Sequence, residues 1–361
     1  WYTDLITESL GEKWRPIRGN ENSMHINKIS AKKQNGCNAQ QACAELSPYY
    51  DMIYHESNNF VGNTIEMDLQ TLQDDYLVPV FSRDNIETIS HNDFINTVCD
   101  ATQTYFQGQQ FLEPKIRVSH EMKLRTRKGS GKLVENLTNE DSGSYYQRIM
   151  FMIEIPSITY EINGNKLNLQ VVGVRTYTET NLLGNSSQKQ TFRVGIGFVN
   201  EVCTNLLLRT DGVKLCIKVT NTADLYKYCM ELFSRYDYIN HIEEMHRLTD
   251  TIIDVSTLAQ FLGKARMYQA LPQSIKTRLG LPELILNEAQ INSAIRDYYT
   301  DENFGGFGKA ISAWQFYQLL TNYKNNYIDT TLERTINAYD VAVGLVKSIN
   351  KEDDSWNWFI E

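Results

Sequence analysis

The chain has 361 residues, with 35 Lys+Arg against 44 Asp+Glu and a formal net charge of −9. With 42% hydrophobic and 22% charged residues it can bury a full core, which excludes a disordered or collagen-like protein. No apolar run approaches the ~20 residues of a membrane helix, so no membrane partner is expected.

Residues Pro16 to Pro48 are rich in Asn, Gln, Lys and Ser with few apolar anchors, and 1–58 reads as a polar arm or loop-rich extension. Tyr76 to Phe81 is a short apolar run whose Pro79 fits an edge strand. Ser90 and Asp93 have the spacing of a capping box, ahead of Phe94, Ile95, Val98, Ala101 and Tyr105 at helical spacing. A β-rich block follows. Ile149–Ile155, Ile158–Ile162 and Lys166–Val174 read as strands, the last two joined by Asn163-Gly164-Asn165, a strong hairpin signal. Phe192, Val194, Ile196 and Phe198 alternate with Arg193, Gly195 and Gly197 to give another strand, and Val213–Val219 adds one more. Beyond Thr220 the apolar spacing becomes helical. Asn221 or Thr222 caps a helix carrying Leu225, Tyr228, Cys229 and Leu232, Ser256 caps the next, and further helices are predicted over Glu288–Tyr299, Ala310–Tyr323 and Thr330–Ser348. The expected fold is therefore α+β: an antiparallel β-rich N-terminal and central part (59–220, with one helix), followed by an all-helical part (221–361) packed on the sheet.

Chemistry-bearing motifs are sparse. The six cysteines form no C-x-x-C pair, and no secretory pattern opens the chain, so reduced thiols and a cytoplasmic location are expected. His241 and His246 are five apart, a rotation of roughly 140° on a helix, which reads as a solvated polar helix and not a zinc site. Lys128-Gly129-Ser130-Gly131-Lys132 lacks the first Gly of a phosphate loop, and Leu133 stands where Ser or Thr would hold magnesium. Gly305-Gly306-Phe307-Gly308-Lys309 reads as an interhelical loop, and Trp314, Tyr317, Leu320 and Tyr323 as a core stripe. No catalytic motif, metal site or cofactor is expected.

One segment stands apart. From Lys115 to Arg127 the alternation is nearly unbroken, with Lys115, Arg117, Ser119, Glu121, Lys123, Arg125 and Arg127 in one row. The other row holds Ile116, Val118, His120, Met122, Leu124 and Thr126. Counted to Lys132, the stretch has seven Lys or Arg and one Glu, a local +6 in an acidic chain. Such a row either protects a sheet edge by its charge or tracks a phosphate backbone. Lys115, Arg117, Lys123, Arg125, Arg127, Lys128 and Lys132 are the candidate nucleic-acid contacts. Tyr145, Tyr146, Tyr177 and Phe192 are candidate stacking partners if they face that row.

Several stretches together resemble a known family. They are Tyr76–Phe81, Pro114–His120, Ile153–Ile158, Asn200–Leu206, Asp297-Tyr298-Tyr299 and Tyr327-Ile328-Asp329, with Arg334 and Asn337-Ala338. In this order they resemble a Bacteroidetes domain-of-unknown-function family, number 3871, over about Asn59 to Val346. Val202-Cys203-Thr204-Asn205 is also similar to an element of the broader phage/plasmid-like proteins, with Leu206 in place of their usual Thr. The resemblance implies a setting of prophages, plasmids and integrative elements, and no catalytic residues. The expected function is a non-catalytic, DNA-associated accessory protein of such elements, with single-stranded DNA as partner. The alternative is a structural protein that binds a phage or host protein, and an unrecognised enzyme comes third. Oligomerisation is left open by the sequence.

Overall fold

The computed structural model describes residues 64–76, 78, 88–125, 142–177, 189–201, 205–301, 304, 306, 308–321 and 328–361. The expected 1–58 arm therefore lies outside the described residues, as do Leu77 and Pro79 to Phe81 of the expected edge strand.

The fold is α+β. Its frame is a six-stranded antiparallel sheet in the order β1 (Ile65–Met67), β2 (Lys115–Val118), β5 (Arg148–Ile162), β6 (Asn165–Thr176), β7 (Gln190–Asn200) and β8 (Leu206–Val219). Two further strands, β3 (Glu121–Arg125) and β4 (Ser142–Tyr146), pair only with each other among the described residues. The β5–β6 hairpin turns on Asn163 and Gly164, with φ of 50° and 73°, the left-handed pair that a two-residue turn requires. Strands expected separately on either side of Pro156 form the single strand β5. The ladder to β6 shifts register between Ile155 and Thr159, where Pro156 has no N–H to donate. β8 runs longer than expected because Leu206, Leu207 and Leu208 are also buried against β7.

Strand alternation gives the sheet two buried faces. On one, Ile149, Phe151, Val171, Val194 and Ile196 meet helix α2 (His91–Tyr105). Phe94 of α2 lies 5.0 Å from the Phe151 ring and 4.9 Å from Phe192, by ring centroids. A Cβ on Gly173 would come within 2.3 Å of the Phe151 ring, so only glycine lets that ring lie flat on the sheet. On the other face, Met150, Met152, Val172, Val174, Leu206 and Leu208 are covered by Ile328, Leu332 and Ile336.

The helices form for local reasons that the structure makes explicit. Ser90 and Asp93 form the reciprocal capping box at the start of α2. A six-residue helix α1 (Leu69–Asp74), capped by Asp68, precedes it, so the β-rich part contains two described helices where one was expected. Asn221 caps α3 (Thr222–Arg235), and α4 (Tyr238–Asp250) follows. α4 is not the solvated polar helix expected around His241 and His246, because His241, Ile242, Met245 and Leu248 are buried on one side. Asp254, not Ser256, caps α5 (Val255–Ala270), accepting from the Thr257 N–H at 2.8 Å. The chain continues through α6 (Gln273–Arg278), α7 (Glu288–Thr300), α8 (Ala313–Leu320), a 3₁₀ turn (Ile328–Thr330) and α9 (Thr331–Ile349).

Among the described residues, the C-terminal part carries its strand pairing in one short ladder. Ile252–Ile253 (β9) and Ile311–Ser312 (β10) form a two-residue antiparallel ladder that ties the end of α4 to the start of α8. Trp314, Tyr317 and Leu320 of the expected stripe are buried in the core, and Tyr323 lies outside the described residues. One hydrophobic cluster joins Leu72 and Phe94 to Phe198, Leu258, Tyr317 and Phe359, so the main core passes across Thr220 without a break.

Candidate nucleic-acid interface

The alternation predicted from Lys115 survives folding in β2. Lys115 is exposed, Arg117 half-buried, and Ile116 and Val118 are buried on the α2 face. The unbroken strand does not survive. β2 and β3 separate at Ser119 and His120. The cause is a hydrogen bond: the Arg148 N–H donates to the Ser119 hydroxyl at 3.1 Å, while the Ser119 N–H donates to the Arg148 carbonyl at 3.0 Å. A side-chain oxygen takes the rung that the Ser119 carbonyl would have held.

The register nevertheless runs on. Val118 faces Ile149, Glu121 faces Tyr146, Lys123 faces Ser144 and Arg125 faces Ser142, all at one constant offset. β2–β3 and β4–β5 thus form one long antiparallel ribbon whose inner half belongs to the sheet and whose outer half is two-stranded. Arg127, Lys128 and Lys132, between β3 and β4 in sequence, lie outside the described residues.

The cations of the inner half are paired. Within the sheet, Lys115 pairs with Glu154 at 3.7 Å and Arg117 with Glu66 at 3.6 Å. Burial pulls the Arg117 pKa below its ordinary value, opposed by the Glu66 carboxylate. In the two-stranded part, the register partners of Lys123 and Arg125 are Ser144 and Ser142. β2 is also not a sheet edge, since β1 flanks it, so edge protection does not explain its two cations.

The aromatic expectation needs correction. Tyr146, Tyr177 and Phe192 are buried, because the α2 face of the sheet closes over them, and only Tyr145 is half-exposed. Phe192 and Tyr177 sandwich the guanidinium of Arg175, each ring centroid 4.5 Å from Cζ. Arg175 is itself fully buried, donating to the Ile89 carbonyl and to Gln190 Oε1. The sequence showed none of this, since an Arg between apolar β-residues reads as a solvent-facing position.

A second basic surface was also missed. Lys189, Lys218 and Lys227 line a shallow hollow of about 450 Å³ between β8 and α3, together with Asp224, Tyr228 and Glu231. Lys227 pairs with Asp224 at 3.5 Å, and the nearby Lys214 pairs with Glu231 at 2.7 Å, so this surface is mixed in sign. Its lysines come from separate elements, and no run in the sequence announces them.

No group of three or more His, Cys, Asp or Glu side chains is placed to hold one metal ion among the described residues. His241 is buried under Tyr236, which it meets through Nδ1 at 2.7 Å, while His246 is exposed.

The motifs that carried the family resemblance hold the architecture. Asp329 forms an ion pair with Arg148 at 2.9 Å and accepts from the Thr176 hydroxyl at 2.6 Å, while its carbonyl accepts from Arg193 at 2.8 Å. These contacts fasten the 3₁₀ turn before α9 to β5, β6 and β7. Asn337 accepts from the Ile285 N–H and donates to the Glu283 carbonyl, pinning the segment between α6 and α7. Asn200 donates its N–H to the Asn205 carbonyl across the β7–β8 connection, and Tyr298 donates to the Lys309 carbonyl. A family described as "Domain of unknown function, B. Theta Gene description (DUF3871)" matches residues 52–360. The chain belongs to that family. No curated protein and no solved structure matches this DUF3871 chain. Among the described residues, no helix is long and apolar enough to cross a membrane.

Proposed function

We propose that this DUF3871 chain is a non-catalytic, DNA-associated accessory protein of phage- or plasmid-type elements, and that it contacts single-stranded DNA through the β3–β4 ribbon. The observation that supports this reading is the constant register. It keeps Lys123 and Arg125 in the row begun by Lys115 and Arg117, but opposite serines and beyond the rungs of the six-stranded sheet. Arg127, Lys128 and Lys132 follow directly in sequence, with no acidic residue between Lys123 and Lys132. Alternate residues of a strand are about 6.6 to 6.8 Å apart, a spacing suited to successive phosphates of an extended strand. A two-stranded ribbon is also an element that enters the major groove, so duplex DNA is the control ligand. The test is oligonucleotide binding measured against salt, with single strands retained more strongly than duplex at matched ionic strength. Equal indifference to both at low salt refutes the reading. A protein that instead serves a phage or host partner without nucleic acid would show that indifference.

A further inference from the structure

The cationic row of the ribbon has a gap at Ser119, and a residue of the neighbouring strand stands beside it. The exchange of hydrogen bonds between Ser119 and Arg148 sets Arg148 directly opposite, at the offset that pairs Lys115 with Met152 and Arg117 with Met150. Residues directly opposite in an antiparallel pair turn their side chains to one face, so Arg148 shares the face of Lys115 and Arg117. Met150 and Met152, its alternate neighbours in β5, lie on that face with Ile328 and Leu332 over them. Arg148 thus sits where the six-stranded sheet gives way to the two-stranded part of the ribbon.

Its guanidinium is held on one side and open on the other. Asp329 Oδ2 lies 2.9 Å from Nε, which is buried there with no hydrogen bond of its own. The two Nη are neither buried nor hydrogen-bonded to the protein, and the side chain is 42% exposed. Two other arginines of this face are committed. Arg117 pairs with Glu66, while Arg193 pairs with Glu333 and donates to the Asp329 carbonyl, and both side chains are only 13% exposed. A guanidinium is a planar fork of N–H donors that fits two oxygens of a phosphate at once. Arg148 presents that fork to solvent, in line with the cationic row.

We infer that Arg148 is a phosphate contact of the strand that lies along the β3–β4 ribbon, and that it is shared with Asp329. The Nε side faces the carboxylate, and the Nη side takes the phosphate. The inference rests on the proposed function for the strand itself. Glu121 comes next in the row, its carboxylate accepting from the Ser144 hydroxyl, so the Arg148 charge also offsets an acid that the strand would meet. Asp329 has two opposed effects on this contact. It anchors the guanidinium, and its own charge repels the phosphate. Two anions on opposite sides of a guanidinium are roughly 7 Å apart, where repulsion in water at low salt is worth about threefold in affinity. The turn before α9, which carries Asp329, is thereby coupled to the bound strand.

Binding of a labelled oligodeoxythymidylate to the full chain, measured against salt, tests this with two variants. Arg148→Gln should flatten the slope of log affinity against log salt by about 0.7, the share of one phosphate. Asp329→Asn keeps an acceptor for the Thr176 hydroxyl and loses the charge, so it should tighten binding by about threefold at low salt. In the double variant that gain should vanish, because no phosphate is then held beside Asn or Asp. A merely structural ion pair lowers the unfolding midpoint in both variants and leaves affinity and slope unchanged, which overturns the inference. Should Arg148→Gln fail to fold, Asp329→Asn decides: tightening upholds the contact and unchanged affinity overturns it. Replacing Lys123, Arg125 and Arg127 by Ala separates the two readings. If that variant loses slope and Arg148→Gln does not, the Arg148 contact falls and the ribbon stands. If only Arg148→Gln loses slope, the contact stands and the outer ribbon falls. A wild type that ignores the oligonucleotide at low salt overturns both.

Discussion

Replacing Lys123, Arg125 and Arg127 together by Ala gives the most direct measure of the ribbon. Each phosphate neutralised on a single strand contributes about −0.7 to the slope of log affinity against log salt, so three contacts contribute about −2. Over a fourfold rise in salt, from about 50 to 200 mM, that part of the slope alone costs the wild type roughly 20-fold in affinity, and the variant is spared it. The structure supplies an internal control. Lys115 already neutralises Glu154 at 3.7 Å, so Lys115→Ala should change the slope by less than one phosphate contact. Fluorescence anisotropy of a labelled oligonucleotide, titrated at several salt concentrations, gives both slopes, and circular dichroism checks that the fold is kept. A triple variant with the wild-type slope would refute the argument. Self-association of the variant with unchanged DNA affinity would instead identify the cations of β3 as protection for an open strand.

Other consequences concern stability. Gly173→Ala should destabilise the protein by about 1–3 kcal/mol in denaturant unfolding, because its Cβ would meet the Phe151 ring at 2.3 Å. Gly164→Ala meets no atom within 4 Å, and its cost should be only about 1 kcal/mol, from the φ of 73°. Asp329→Ala should destabilise by roughly 1–3 kcal/mol, since it removes the ion pair with Arg148 and an acceptor of the Thr176 hydroxyl. His91 and His241 are both buried and neutral, with pKa values lowered to about 3 against an ordinary 6.5. The unfolded chain thus binds protons that the folded chain refuses. Stability should be complete above about pH 6.5 and fall as pH drops towards 3, by up to about 1.4 kcal/mol per pH unit for each histidine. Guanidinium midpoints from pH 7 to 4 should show this fall, and His91→Gln should reduce its steepness; a flat profile would contradict the burial of both rings.

The sequence by itself determined the features whose causes lie within a few residues. Ser90 and Asp93 cap α2 because each reaches the other's backbone N–H three positions away. Asn163-Gly164 turns the β5–β6 hairpin because those residues accept positive φ, and the change from period two to helical spacing at Thr220 marks where the sheet ends. The basic row from Lys115 was legible for the same reason, as a local alternation. What only the tertiary structure decided depends on partners far away in the chain. The Arg148 N–H, 29 residues on, breaks the row at Ser119, and Glu66 and Glu154 neutralise its inner half. Burial of Arg175 depends on Ile89 and Gln190, and Arg148 finds its counter-ion in Asp329, at the turn before α9. A local pattern specifies which face a side chain takes, whereas its charge partner and its burial are set by which distant strand or helix lies opposite.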